Sequence, residues 1–185
     1  MNAVEIMVQE HNAILRLITV IRSACCRILE GGTVNIEDFT SMIIFARTYA
    51  DKHHHGKEEE ILFLTMTEKL GQAATTLIRH GMLVEHDMGR FFITELEQAL
   101  KRYAAEPNTE NKLDIIMRSS GWADLLKRHI EKENTVVYPF AVRSLPFEVL
   151  NEVDRKVQLF EEKAEKDGIQ QKSLQLLEAL ALKYC

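Results

Sequence analysis

Residues 53–60 read HHHGKEEE and residues 129–133 read HIEKE. Each stretch contains a histidine followed four positions later by a glutamate. On an α-helix, positions i and i+4 lie one above the other on the same face. The imidazole and the carboxylate therefore point at one spot, and together they make half of a metal site. Taken singly, such a pair is an exposed ion pair worth a few tenths of a kcal/mol. A second occurrence decides between the two readings. Residues 54–63, HHGKEEEILF, align with residues 129–138, HIEKENTVVY, at an offset of 75. His54 falls on His129, Lys57 on Lys132 and Glu58 on Glu133. The same offset carries His11 onto His86, within Glu10-His11-Asn12 and Glu85-His86-Asp87. Each copy is a lone histidine followed 43 residues later by His-x-x-x-Glu. This register selects His54 with Glu58 over His55 with Glu59.

The two copies supply four imidazoles and two carboxylates. A buried carboxylate without a partner costs several kcal/mol, and two that face each other force one to take a proton. A dinuclear metal centre removes both problems, because each carboxylate can bridge two cations. Imidazole and carboxylate donors without thiolate suit iron or manganese better than a structural zinc. The candidate metal residues are His11, His54, Glu58, His86, His129 and Glu133, with no catalytic residue separate from them. His55 is open between extra ligand, supporting contact and ordinary helix contact. His53, Glu59, Glu60 and Glu131 read as a solvated flank. His80 lies about 120° around a helix from His86 and reaches the same spot only if Gly81 interrupts that helix.

Long helices must position these residues. The chain has only three prolines and eight glycines, and its apolar residues recur in steps of three and four. Val4, Met7, His11, Ile14, Ile18, Ile21, Cys25 and Ile28 form one seam, which ends at Gly31-Gly32. A second helix runs from an Asn35 cap to about Lys69, and Gly71 breaks it. The third covers about 72–104, with Met82, His86, Gly89, Ile93, Leu96, Leu100 and Tyr103 inward. The fourth spans about 109–143, with Trp122, Leu126, His129, Glu133 and Val136 inward. Two further amphipathic segments cover about 147–166 and 169–183. The expected fold is all-α: an up-down-up-down four-helix bundle over residues 1–145, with residues 146–185 as an accessory helical hairpin packed on the same domain.

Composition narrows the function. A net charge of −5 argues against a nucleic-acid partner. No apolar run is long enough to span a membrane, and MNAVEIMVQEHN lacks the pattern of a signal peptide. Cys25, Cys26 and Cys185 make no disulfide framework, so a cytoplasmic location is expected. Composition assigns no oligomeric state.

The set of motifs resembles the hemerythrin family, in particular its bacterial HHE cation-binding branch. The resemblance rests on EH at 10–11, HHGKEEEILF at 54–63, EHD at 85–87 with Arg90, and HIEKENTVVYP at 129–139. It implies a left-handed four-helix bundle around two iron ions, a non-haem di-iron centre with an oxo or hydroxo bridge. By position, His11 and His54 would serve one iron, His86 and His129 the other, and Glu58 and Glu133 would bridge. The oxygen-carrying members have two histidines one turn apart on the third helix. Here Met82 and Arg90 flank His86 at those offsets, so one iron is a nitrogen short. The expected ligand is a small oxidant (oxygen, peroxide or nitric oxide), and peroxide breakdown of catalase or peroxidase type is favoured over reversible oxygen carriage. The competing reading is a non-catalytic module for iron storage or for oxygen or nitric-oxide sensing.

Overall fold

Asn2 opens the first helix, α1 (Ala3–Leu29), with a capping box. Its side chain accepts the Glu5 N–H while the Glu5 carboxylate accepts the Asn2 N–H. Asn35 caps α2 (residues 36–69) by accepting the Asp38 N–H, and Asn108 caps α4 (residues 109–144) in the same way. Between α2 and α3 (residues 71–105) the chain reverses at Leu70-Gly71. Gly71 takes φ +69° there, a conformation that costs a residue with a Cβ about 1–2 kcal/mol. Leu145-Pro146 ends α4, and the left-handed Gly168 joins α5 (Phe147–Lys166) to α6 (Ile169–Tyr184). The computed structural model describes residues 1–185 as six long helices with no strand. Their ends fall within about one residue of those expected from the sequence.

Two apolar blocks lie at opposite ends of the first four helices. One is built from α1 beyond Ile14, α2 before the histidine run, α3 beyond Ile93 and α4 before His129, with Leu177 and Leu180 of α6 added. The other joins Ala3, Ile6 and Met7 to Leu62, Phe63, Met66, Met82, Val137 and Tyr138, with Val153 and Val157 of α5. The charged and imidazole side chains of residues 10–11, 53–58, 86, 129 and 133 are buried in the layer between the blocks. Buried groups of this kind need partners from within the protein or from a bound cation.

The backbone is wound wide where it crosses this layer. Hydrogen bonds of i→i+5 type run from the Phe63 N–H to the Glu58 carbonyl and from the Tyr138 N–H to the Glu133 carbonyl. These π-type turns, 58–62 and 133–137, repeat at the 75-residue offset. Pro139 does not cause them, because the first copy has Leu64 at that position. The extra residue in each turn corrects the expected inward face of α4. Val136 is 49% exposed, while Val137 and Tyr138 fill the core. A further wide turn, 78–82, passes through Gly81 without breaking α3, and His80 stays exposed outside the layer.

Candidate metal centre

Each lone histidine meets the histidine of its own copy. His11 Nε2 lies 3.0 Å from His54 Nε2, and His86 Nε2 lies 3.0 Å from His129 Nε2. The opposite ring nitrogens of all four are held by acceptors. His54 Nδ1 donates to Glu10 Oε2 at 2.8 Å and His129 Nδ1 to Glu85 Oε2 at 2.8 Å. His11 Nδ1 donates to the Asn134 side-chain carbonyl at 2.9 Å, and His86 Nδ1 to Glu59 Oε1 at 2.6 Å. The acceptors obey the 75-residue offset as well. Glu10 corresponds to Glu85, while Glu59 and Asn134 cross over between the copies.

These bonds fix the tautomers. A neutral imidazole with its proton on Nδ1 presents a bare lone pair at Nε2. Two such lone pairs 3.0 Å apart repel unless a proton or a cation lies between them. Metal-bound histidines use this arrangement, with one nitrogen on the ion and the other donating to a carboxylate or carbonyl.

Glu58 and Glu133 occupy the space between the two histidine pairs. Glu133 lies 3.2 Å from His11 Nε2, 2.9 Å from His129 Nε2 and 3.8 Å from His86 Nε2. Glu58 Oε2 lies 3.7 Å from His54 Nε2 and 3.5 Å from His86 Nε2. Each carboxylate thus faces a histidine of either copy. Neither is exposed, and Glu58 Oε2 and both Glu133 oxygens have no hydrogen-bond donor. Buried acceptors without a donor are rare in folded proteins, and a bound cation would satisfy all three.

His55 lies inside this layer. Its ring stacks on His86 with centroids 3.8 Å apart, and neither nitrogen has a partner. It stands within ligand reach of Glu58, His86 and His129, while His11, His54 and Glu133 form a second such group. In the second copy Ile130 replaces it. Helix α2 therefore supplies a nitrogen where α3 has Met82 and Arg90 in place of a second histidine. A cavity of about 270 Å³ between α2, α3 and α4 reaches the His55 and His86 rings past Asp51, Gly89, Arg90 and Trp122.

Titration follows from the crowding. Burial beside Glu133 drives the Glu58 carboxyl well above its ordinary range. Burial also opposes ionisation of Glu133, but His129, His11 and His86 outweigh it and hold that carboxyl well below its ordinary range. Burial pushes His54 down to about 4 and His55 lower than usual. It opposes protonation of His129 too, yet Glu133 and Glu85 raise that imidazole to about 9. Carboxylate and imidazole ligands bind metal in their deprotonated forms, so metal binding at such a centre releases protons.

Several residues lie where the sequence pattern does not place them. His53, expected in solvent, is 1% exposed because α5 covers it. Its Nε2 lies 3.0 Å from Glu10 and accepts from the Lys57 ammonium at 2.9 Å. Glu59, also expected in solvent, is half-buried and accepts from His86 and from Arg90 at 2.6 Å. Glu60 and Glu131 are exposed, as expected. Glu10, Glu85 and Asn134 carry no role in the sequence reading. The identical Glu-His pairs at 10–11 and 85–86 were the available signal for the first two. The Tyr138 hydroxyl donates to Glu58 Oε1 at 2.6 Å, and its ring stacks on His11.

Six helices around a buried layer of imidazoles and carboxylates define an all-α metal-binding protein. Residues 2–141 match the family model of the hemerythrin HHE cation-binding domain, and the chain belongs to that family. Domains of this type bind metal ions, typically iron, and the histidine–glutamate groups fit a metal site. A search of curated proteins and one of solved structures each found no match. No helix is long and apolar enough to cross a membrane.

Proposed function

We propose that residues 1–145 form an up-down-up-down hemerythrin-type bundle around two iron ions, with residues 146–185 as an accessory hairpin packed on the same domain. His11 and His54 would hold one ion and His86 and His129 the other, with Glu58 and Glu133 shared and His55 completing the second group. The observation that carries this reading is the set of four Nε2 lone pairs and three donorless carboxylate oxygens turned toward one another in a buried layer. The three unpaired cysteines support placement in the cytoplasm.

The centre reacts with a small oxidant, and peroxide breakdown is favoured over reversible oxygen carriage. Iron bound there would supply redox equivalents and Lewis-acid positions for peroxide or oxygen. The protein's own part is to manage protons and water. The Tyr138 hydroxyl holds a proton 2.6 Å from Glu58 Oε1. Glu58, buried beside a second carboxylate, prefers its protonated form. A proton source at this point serves dismutation of peroxide, which moves protons between two substrate molecules, and reversible carriage has less use for it. Phe63 and Tyr138 cap the layer from one apolar block and limit water there. The 270 Å³ cavity beside His55 and His86 is the route for a ligand of two non-hydrogen atoms.

His55 favours the alternative reading, storage or sensing without catalysis. By filling the position left by the third helix, it closes the second group of ligands. Oxygen evolution on adding peroxide to the iron-loaded protein tests the choice. Sustained evolution supports breakdown; a slow spectral change in air with no evolution supports binding alone.

A further inference from the structure

The two copies serve as each other's control. In each, a lysine and a histidine one turn apart share a glutamate: Lys57 and His54 on Glu10, Lys132 and His129 on Glu85. In the second copy this arrangement ends in solvent, with the Lys132 side chain 43% exposed and Glu85 20%. In the first copy it continues. Lys57 is 0% exposed and Glu10 5%, because α5 lies across them. Lys57 also donates to Glu161 of α5, and Gln170 of α6 donates to Glu161 in turn. Helix α5 packs directly on this turn, with Phe160 Cζ within van der Waals reach of Gly56. Glu10, His53 and Glu161 converge like ligands, but the Lys57 ammonium is already the cation among them.

A buried ammonium holds its place only with well-set anionic partners. Glu161 and Glu10 share that function for Lys57, and Glu10 uses its other oxygen to orient His54. We propose that Glu161 is a positioning residue for one half of the metal centre: through Lys57 and Glu10, the C-terminal hairpin sets the His54 ring. The hairpin acts on the His11–His54 group and leaves the His86–His129 group untouched. This rests on the reading of two ion-binding groups given above.

The test uses the full-length chain loaded with ferrous iron and titrated with a chelator, following the iron retained and the two iron environments by Mössbauer spectroscopy. Glu161→Gln should make one iron about tenfold easier to remove, as loss of a group supporting a ligand does, and leave the other at the wild-type value. In a Lys57→Met background the same change should have no further effect, because the influence passes through Lys57. Metal-free Glu161→Gln should still melt as one cooperative unit. Equal weakening of both irons, or an undiminished effect in the Lys57→Met background, would show general loosening and overturn the proposal. A wild-type chain that takes up no iron overturns the metal reading, and this inference with it. A wild-type chain with two irons beside a variant that keeps both equally well overturns the positioning role alone.

Discussion

Replacing Glu58 by Gln separates folding from metal binding. Glu58 is fully buried; Oε1 accepts the Tyr138 hydroxyl at 2.6 Å and Oε2 has no donor. Without metal, burial beside Glu133 raises this carboxyl well above its ordinary range and favours its neutral form. Gln has the same shape, is also neutral, and its carbonyl can accept from Tyr138. Metal-free Glu58→Gln should therefore unfold within about 1 kcal/mol of the metal-free wild type, the scale of one altered hydrogen bond. The loaded proteins should differ far more. Free metal at about 1,000 times Kd adds about 4.1 kcal/mol to wild-type stability. Groups that merely support a ligand cost 10–100-fold in affinity when lost, and Glu58 faces histidines of both copies, so about 100-fold is a fair minimum. That removes about 2.7 kcal/mol, which in a chain of this length lowers the loaded Tm by about 5–11 °C. Thermal unfolding of both proteins with and without iron reads all four values. An equal iron-induced rise in the two proteins, or a metal-free Gln variant that falls as far as the loaded one, would refute the reasoning.

Tyr138→Phe installs the ring that the first copy carries as Phe63. It should cost about 1–2 kcal/mol for the lost bond to Glu58, keep iron content, and slow oxygen evolution from peroxide; unchanged evolution counts against the proton role. The metal-free protein should lose stability in mild acid through His54. Its folded pKa of about 4 lies below the unfolded value, so its contribution is full above about pH 6.5 and fades as pH falls to 4, by about 3 kcal/mol at most. Urea unfolding of His54→Gln across that window should lack this increment. Gly121→Ala would place a Cβ 2.6 Å from Phe92 Cε1 and should cost about 1–3 kcal/mol through overpacking, most of it recovered by adding Phe92→Leu.

The six helices were legible because caps and breakers stand where they act: Asn35, Asn108, Gly71, Pro146 and Gly168. The buried layer was legible through duplication, which brought His11, His54, His86, His129, Glu58 and Glu133 into one register, and they converge in space. Supporting residues were harder to see. Glu10 and Glu85 recur at the offset but look like ordinary helix-surface glutamates until the facing helix is placed. Glu59 and Asn134 recur as positions and not as residue types. His53 reads as solvated, and nothing local pairs Lys57, because a charge run on one helix carries no record of the helix that covers it. Their cover, Glu161, lies 104 residues away from Lys57 and leaves no local signal. Val136 misled because a straight-helix register omits the residue that the wide turn at 133–137 adds.

The central claim is that two histidine pairs and two shared glutamates hold a pair of iron ions. Metal analysis of the purified full-length chain, with optical spectra of the same sample, tests it most directly. The account predicts about two irons per chain with near-UV bands of a bridged pair, and loss of both features in a His11→Ala/His86→Ala variant that remains helical. No iron, a single zinc, or iron retained in full by that variant would contradict it.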